Sequence, residues 1–189
     1  YDGHCYGLSE SERQKMTKKP SWRVHVPRRT ISFTDTVYGP FEEELTRCCG
    51  DFVVRRADDM YAYQLAVSVD DGAMAISHVL RGEDLLSSTA QQIWLIETLG
   101  YEPPSYTHVP MLIDTAGNRL SKRQHGITVR SLRQQGVTAE AILSHLAYAG
   151  GLVTESRIYS LEELVQQCDF KRLRREPIVI RPDSFSKKV

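Results

Sequence analysis

The spacing of apolar and polar positions changes character three times along the chain. From Tyr1 to Arg29 polar and basic residues dominate, and Ser9 to Lys19 reads as an exposed helix or loop with Arg13, Lys15, Lys18 and Lys19 facing water. Alternation then sets in at Arg23-Val24-His25-Val26 and again at Ile31-Ser32-Phe33-Thr34-Asp35. That period predicts two half-buried strands, paired with each other, and Gly39-Pro40 marks a turn after them.

The segment from Asp51 to Gly100 carries the core. Phe52 to Arg55 predicts a short strand, and Tyr61 to Val69 a short buried helix that stops at Asp70-Asp71-Gly72, although its composition also fits a strand. Ala75 to Leu80 predicts a strand that runs into Arg81-Gly82-Glu83-Asp84. A helix follows with Thr89 as N-cap, Gln92 in the capping-box position, Ile93, Ile96 and Leu99 as its apolar face, and Gly100 as its stop. Val109 to Ile113 is an apolar run of strand length that ends in the turn formers Asp114 to Asn118. Strand, helix, strand in that order predicts an α/β fold with a parallel sheet.

From Ile127 onward the pattern is helical. Ile127 to Gln135 forms one helix ending at Gly136. Thr138 caps a second, with Ile142, Leu143 and Leu146 inward. Ser160 to Glu163 is a capping box for a third, with Leu161, Leu164 and Val165 inward. The tail from Lys171 is basic, and its last residues are expected to be disordered.

Composition narrows the classes. Twenty-four basic and 24 acidic side chains cancel, so no global field draws in nucleic acid. No apolar run is long enough to span a membrane, and no signal peptide is visible. Cys5, Cys48, Cys49 and Cys168 form neither a disulfide framework nor a C-x-x-C site, so a reduced, cytoplasmic setting is expected.

Two charged clusters sit at predicted strand ends, where open α/β sheets bind ligands. One is Arg81 to Asp84. The other is Arg119-Leu120-Ser121-Lys122-Arg123, three cations in five residues around a small hydroxyl, suited to neutralising a polyphosphate. By itself the second run reads first as a solvated basic turn or a surface phosphorylation site.

Residues Asp51 to about Gly126 resemble the second half of the catalytic domain of the glutamyl-tRNA synthetase family, class I aminoacyl-tRNA synthetases with a Rossmann-type core. The resemblance rests on V-D-D, R-G-E-D, H-V-P and L-S-K-R, in that order and at the family's spacing. It implies an ATP- and Mg2+-dependent ligase that joins glutamate to AMP and then to tRNA. Lys122 matches the loop lysine that stabilises developing phosphate charge, and Arg119 stands where the loop's first lysine would, with Ser121 between them. Arg81 matches the arginine that pairs with the substrate's side-chain carboxylate, and Tyr63 the tyrosine that hydrogen-bonds the bound amino acid. Asp84 matches an acidic position near the ATP ribose or the amino acid. Without the family pattern, Tyr63 would be read as a core tyrosine and Arg81 as an ion-pair partner of Asp84 or Asp70.

The family has two main branches. One charges tRNA(Glu) and carries a large anticodon-binding region. The other is shorter and transfers glutamate to the queuosine of tRNA(Asp). Fewer than 40 residues follow Gly151, and the opening YDGHC and closing CDFKRLRREPIVI resemble the short branch, so tRNA(Asp) is the expected acceptor. A His-Gly after the lysine loop, His125-Gly126, is a feature of the longer branch, here offset by Gln124. Tyr1 and Cys5 match the second half of the short branch's zinc motif, C-x-C followed by Y-x-x-x-C, so Zn2+ is expected in an intact protein. The family's H-I-G-H-type element has no match in these 189 residues. An incomplete, weakly active catalytic domain is therefore expected, with a non-catalytic RNA-binding remnant as the other reading. The expected organisation is 1–50 as remnant of a zinc-loop or acceptor-type β insertion, 51–126 as the Rossmann-type half, and 127–189 as a helical stem-contact-like segment with a basic tail, in a monomer.

Overall fold

The computed structural model describes residue 1 and residues 3–120, 127–181 and 184–185. In chain order the elements are α1 (Glu10–Gln14), β1 (Trp22–Val24), β2 (Thr30–Asp35), β3 (Gly39–Glu44), α2 (Leu45–Cys48), β4 (Phe52–Arg55), α3 (Tyr63–Ala73) and β5 (His78–Gly82). After a 3-10 helix over Glu83–Ser88 come α4 (Thr89–Thr98), β6 (Ser105–Val109), β7 (Leu112–Ile113), α5 (Val129–Gln134), α6 (Ala139–Gly150), α7 (Leu161–Gln167) and β8 (Ile178–Val179). The chain forms two compact units, each assembled from several segments.

The first unit comprises Tyr1–Asp35, Pro40–Val79 and Leu85–Tyr106. Its core joins Val26, Ile31 and Leu45 to Ile93, Trp94 and Leu95 of α4 and to Tyr106. Every residue of α4 from Thr89 to Ile96 is buried, so this helix is enclosed rather than amphipathic. Its expected capping box is not formed. The 3-10 turn leads straight into the helix, Ser88 holds the cap position, and Thr89 Oγ1 donates to the Leu85 carbonyl at 3.2 Å. Gln92 Nε2 instead donates to Gln64 Oε1 of α3 at 2.6 Å, a partly buried amide pair joining two helices.

The two alternating segments do not pair with each other. β1 pairs antiparallel with β4, Trp22 facing Arg55, while β2 pairs in parallel with β6, Asp35 facing Tyr106. The principal sheet runs β3-β2-β6-β5. The turn that Gly39-Pro40 marks lies directly before it, at residues 36–38, and Gly39 and Pro40 themselves open β3. That strand ends the sheet order, where a residue without an amide hydrogen is tolerated.

The helix expected to be buried over Tyr61 to Val69 starts at Tyr63, is half exposed, and continues through Asp70-Asp71-Gly72. Gly72 serves close approach rather than termination. A Cβ there would lie 2.4 Å from the Tyr101 ring. The chain turns at Met74 and at Ala75, whose φ is +51°, so β5 begins at His78 rather than Ala75.

The second unit comprises Thr36–Gly39, Leu80–Asp84 and Thr107–Val189. Within its described residues the apolar run Val109 to Ile113 is cut by Pro110, which cannot donate to a ladder. β7, beyond the cut, pairs in parallel with β8, Leu112 facing Ile178 and Ile113 facing Val179. Ile180 follows with 2% exposure, and its amide donates to the Ile113 carbonyl at 2.8 Å, so the tail is anchored as far as this residue. Residues 186–189, where disorder is expected, lie outside the described residues.

Thr138 caps α6 as expected, accepting from the Ala141 amide at 3.2 Å. Ser160 and Glu163 close their capping box. Leu164 packs against the core as expected, but the rest of the buried faces differ from the sequence expectation. α6 buries Ser144, Ala147 and Gly150, leaving Leu143 exposed, and Leu161 and Val165 of α7 are exposed as well. The small residues admit Val153 and Tyr159 against Ala147, and the Tyr159 amide donates to Ser144 Oγ at 2.9 Å. No helix among the described residues is long and apolar enough to cross a membrane.

Candidate functional site

β5 carries Arg81 and Gly82 to its end, and the 3-10 helix adds Glu83 and Asp84. Each of these side chains except glycine has a defined contact in the second unit. Arg81 Nε donates to Nε2 of His108 on β6 at 2.9 Å. Glu83 accepts from the Tyr38 hydroxyl and, through Oε1, from the Met111 amide at 3.3 Å. Asp84 Oδ2 accepts from Arg119 Nη1 at 3.2 Å. A Cβ on Gly82 would stand 2.8 Å from Asp84 Oδ1 and 3.5 Å from Met111 Sδ, so a larger residue would displace the Asp84 carboxylate.

The turn that delivers Arg119 is built by Asp114. Its Oδ1 accepts the amides of Ala116 and Asn118, each at 2.8 Å, and its Oδ2 accepts Asn118 Nδ2 at 3.2 Å. These bonds, the Asn118 amide first, hold the Asp114 carboxyl below its ordinary pKa. Gly117 takes φ +82° in this turn, and Arg119 bridges back to Ile113. Ser121 and Lys122 lie outside the described residues.

The tail reaches the same unit's cluster. Arg175 Nε donates to the Val37 carbonyl at 2.9 Å, and the Tyr38 hydroxyl lies 3.0 Å from the Arg175 carbonyl oxygen as well as against Glu83. Nothing in the sequence pattern singled out Tyr38 or Arg175. His108 lies in the H-V-P element, which marked a family without assigning the histidine a task.

Tyr63, Tyr1 and Cys5 belong to the first unit. Tyr63 opens α3 with 56% of its surface exposed, which excludes the core-tyrosine reading. The Cys5 amide donates to the Tyr1 hydroxyl at 2.8 Å, so the two expected zinc donors are neighbours. No group of three His, Cys, Asp or Glu side chains among the described residues is arranged for a metal. Two donors do not complete a four-coordinate zinc site, so these residues alone do not fit one. His4 is exposed.

The segment carrying Tyr1 and Cys5 is tied down by Tyr6, whose hydroxyl donates to Asp51 Oδ2 at 2.5 Å and lies 2.7 Å from His25 Nδ1. Beside it is a groove of about 820 Å³ lined by Arg13, Lys18, Lys19, Arg23 and Trp22, with the indole 65% exposed. Cys48 and Cys49 are half buried, and burial pushes the Cys49 thiol up to about 12, which suits packing rather than reactivity.

Residues 1–184 match the family described as tRNA synthetases class I (E and Q), catalytic domain. The chain belongs to that family. A glutamyl-Q tRNA(Asp) synthetase of Symbiobacterium thermophilum is 41% identical over 189 residues, covering 98% of this chain and 58% of that protein. Glutamate–tRNA ligase 2 of Syntrophus aciditrophicus is 36% identical over 189 residues, covering 98% of this chain and 39% of the ligase. Among solved structures, the glutamate-tRNA synthetase of Elizabethkingia anophelis has a TM-score of 0.75 and 25% identity, over 96% of this chain and 41% of that one. This catalytic-domain chain thus spans 39–58% of the two curated relatives compared. The class I α/β assignment agrees with the parallel β2–β6 pairing and with the α4 connection between the neighbouring strands β5 and β6.

Proposed function

We propose that this chain is part of an ATP-dependent ligase that activates L-glutamate and transfers it to the queuosine of tRNA(Asp). The observation that carries the reading is the gathering of Arg81, Asp84 and Arg119 in one compact unit. The choice of acceptor is supported by the higher identity to the glutamyl-Q relative, 41% against 36% for the tRNA(Glu) ligase.

In the first step an oxygen of glutamate's α-carboxylate attacks the α-phosphorus of ATP, and the bond to pyrophosphate breaks. In the second, a hydroxyl of the tRNA attacks the acyl carbon and AMP leaves. Both steps depend on positioning and on neutralising phosphate charge. A class I synthetase domain uses ATP with Mg2+ in general, and Mg2+ adds charge neutralisation at the phosphates.

Arg81 recognises the side-chain carboxylate of glutamate by charge-assisted hydrogen bonds, which an amide cannot return in kind. Tyr63 hydrogen-bonds the bound amino acid. Arg119, Ser121 and Lys122 face the phosphates, and Asp84 acts on ATP through Arg119. Tyr1 and Cys5 supply half of a zinc site. The groove with Arg13, Lys18, Arg23 and Trp22 offers cations to an RNA backbone and an open indole to a base.

The test is ATP–pyrophosphate exchange by the full-length protein with glutamate as substrate. Removing one partner of a buried charge pair costs about 2–5 kcal/mol. Arg81→Ala is therefore expected to raise the KM for glutamate by at least about 30-fold. Exchange that runs as well with glutamine as with glutamate would contradict the reading.

A further inference from the structure

We infer that His108 is the positioning residue of Arg81, fixing which edge of its guanidinium meets the substrate carboxylate. This rests on Arg81 being the carboxylate-binding arginine.

The argument begins with donors and acceptors. An arginine side chain only donates, so the 2.9 Å contact from Arg81 Nε makes His108 Nε2 an acceptor. An imidazolium has no lone pair at that nitrogen, so the contact needs neutral His108 with its proton on Nδ1. His108 has no exposed surface, so the ring is fixed by packing and water does not compete for Nε2.

A guanidinium offers a carboxylate two forked edges, one side-on through Nε and one end-on through the two terminal nitrogens. With Nε committed to His108, the carboxylate is received end-on. The backbone on either side of Arg81 is already held. Gly82 ends β5, and Glu83 beside it is held by Tyr38 and the Met111 amide. The contact with His108 restricts the long Arg81 side chain at Nε. Less rotamer entropy is then lost when glutamate binds.

A purely structural histidine would affect folding and both substrates alike. The test compares two polar replacements in the full-length protein. The amide of Gln lies where Nε2 lies and can accept from Arg81, while the amide of Asn lies nearer Nδ1 and cannot reach it. Loss of a supporting residue of this kind costs about 10- to 100-fold. His108→Asn is expected to raise the KM for glutamate in ATP–pyrophosphate exchange by that factor, with the KM for ATP within about threefold, and His108→Gln is expected to restore most of the loss. If the Asn variant does not fold, His108→Leu takes its place in the same comparison.

Equal glutamate KM values for the wild type and the Asn or Leu variant would overturn the inference, as would Gln losing as much as Asn. Failure of all three replacements to fold would also overturn it, by making the role structural. Arg81→Ala, measured beside them, separates the cases. If it too leaves the glutamate KM unchanged, the assignment of Arg81 itself is wrong.

Discussion

Arg119 and Asp84 pair at 3.2 Å, joining the start of the basic loop to the charged cluster after β5. Their side chains are 62% and 34% exposed, and ion pairs of that kind contribute about 0–1 kcal/mol. A phosphate can therefore take Arg119 from Asp84 at little cost. Asp84→Asn is expected to change the KM for ATP by less than about fivefold, and to have no further effect once Arg119 is Ala. Exchange kinetics on the two single variants and the double variant check this. Additive losses would mean that Asp84 meets ATP independently of Arg119.

Gly72 lies under Tyr101 with no space for a methyl group. Gly72→Ala overfills that contact, and overpacking costs about 1–3 kcal/mol even though Ala favours helix. A lower thermal and urea midpoint is expected. An unchanged or raised midpoint would show that the ring moves aside freely.

Asp51 is held down to about 2, first by the Tyr6 hydroxyl and then by His25, with the Val26 amide also contributing. A carboxyl whose folded pKa is depressed stabilises the fold above its unfolded value, near 3.9, and loses that contribution as pH falls toward the folded value. The first unit is therefore expected to lose stability between about pH 4 and pH 2, and Asp51→Asn to flatten that part of the curve. Denaturation midpoints at stepped pH measure it. The same acid sensitivity in the variant would assign the effect to another carboxylate.

Tyr38 ties the tail to Glu83, and Tyr38→Phe removes the hydroxyl without changing the ring. The expected result is faster hydrogen exchange at the amides of Ile178 and Ile180, which donate to Met111 and Ile113. Losing such a bond costs about 1–3 kcal/mol, enough to raise exchange roughly fivefold or more. Unchanged exchange would place the anchoring in Arg175 and the β7–β8 pairing alone.

Local chemistry was readable from the chain, and non-local pairing was not. The caps at Thr138 and Ser160 and the turn at Asp114 each join a side chain to a backbone group a few residues away, so spacing reveals them. β1 and β2 carry the right period for strands, but period says nothing about partners, and each pairs with a strand far along the chain. Leu164 packs inward as expected, but Leu143, Leu161 and Val165 were misplaced because that core centres on Ala147, Val153 and Tyr159, with Ser144 bonded to the Tyr159 amide. Arg81, Asp84 and Arg119 were visible through their motifs. The task of His108 was not, because its partner lies 27 positions away on the neighbouring strand.

The most direct test of the account is a charging assay with the full-length protein, labelled glutamate and ATP. One reaction contains queuosine-bearing tRNA(Asp) and the other tRNA(Glu). The account predicts label on tRNA(Asp) alone. Label on tRNA(Glu), or on neither from a folded protein, would contradict it.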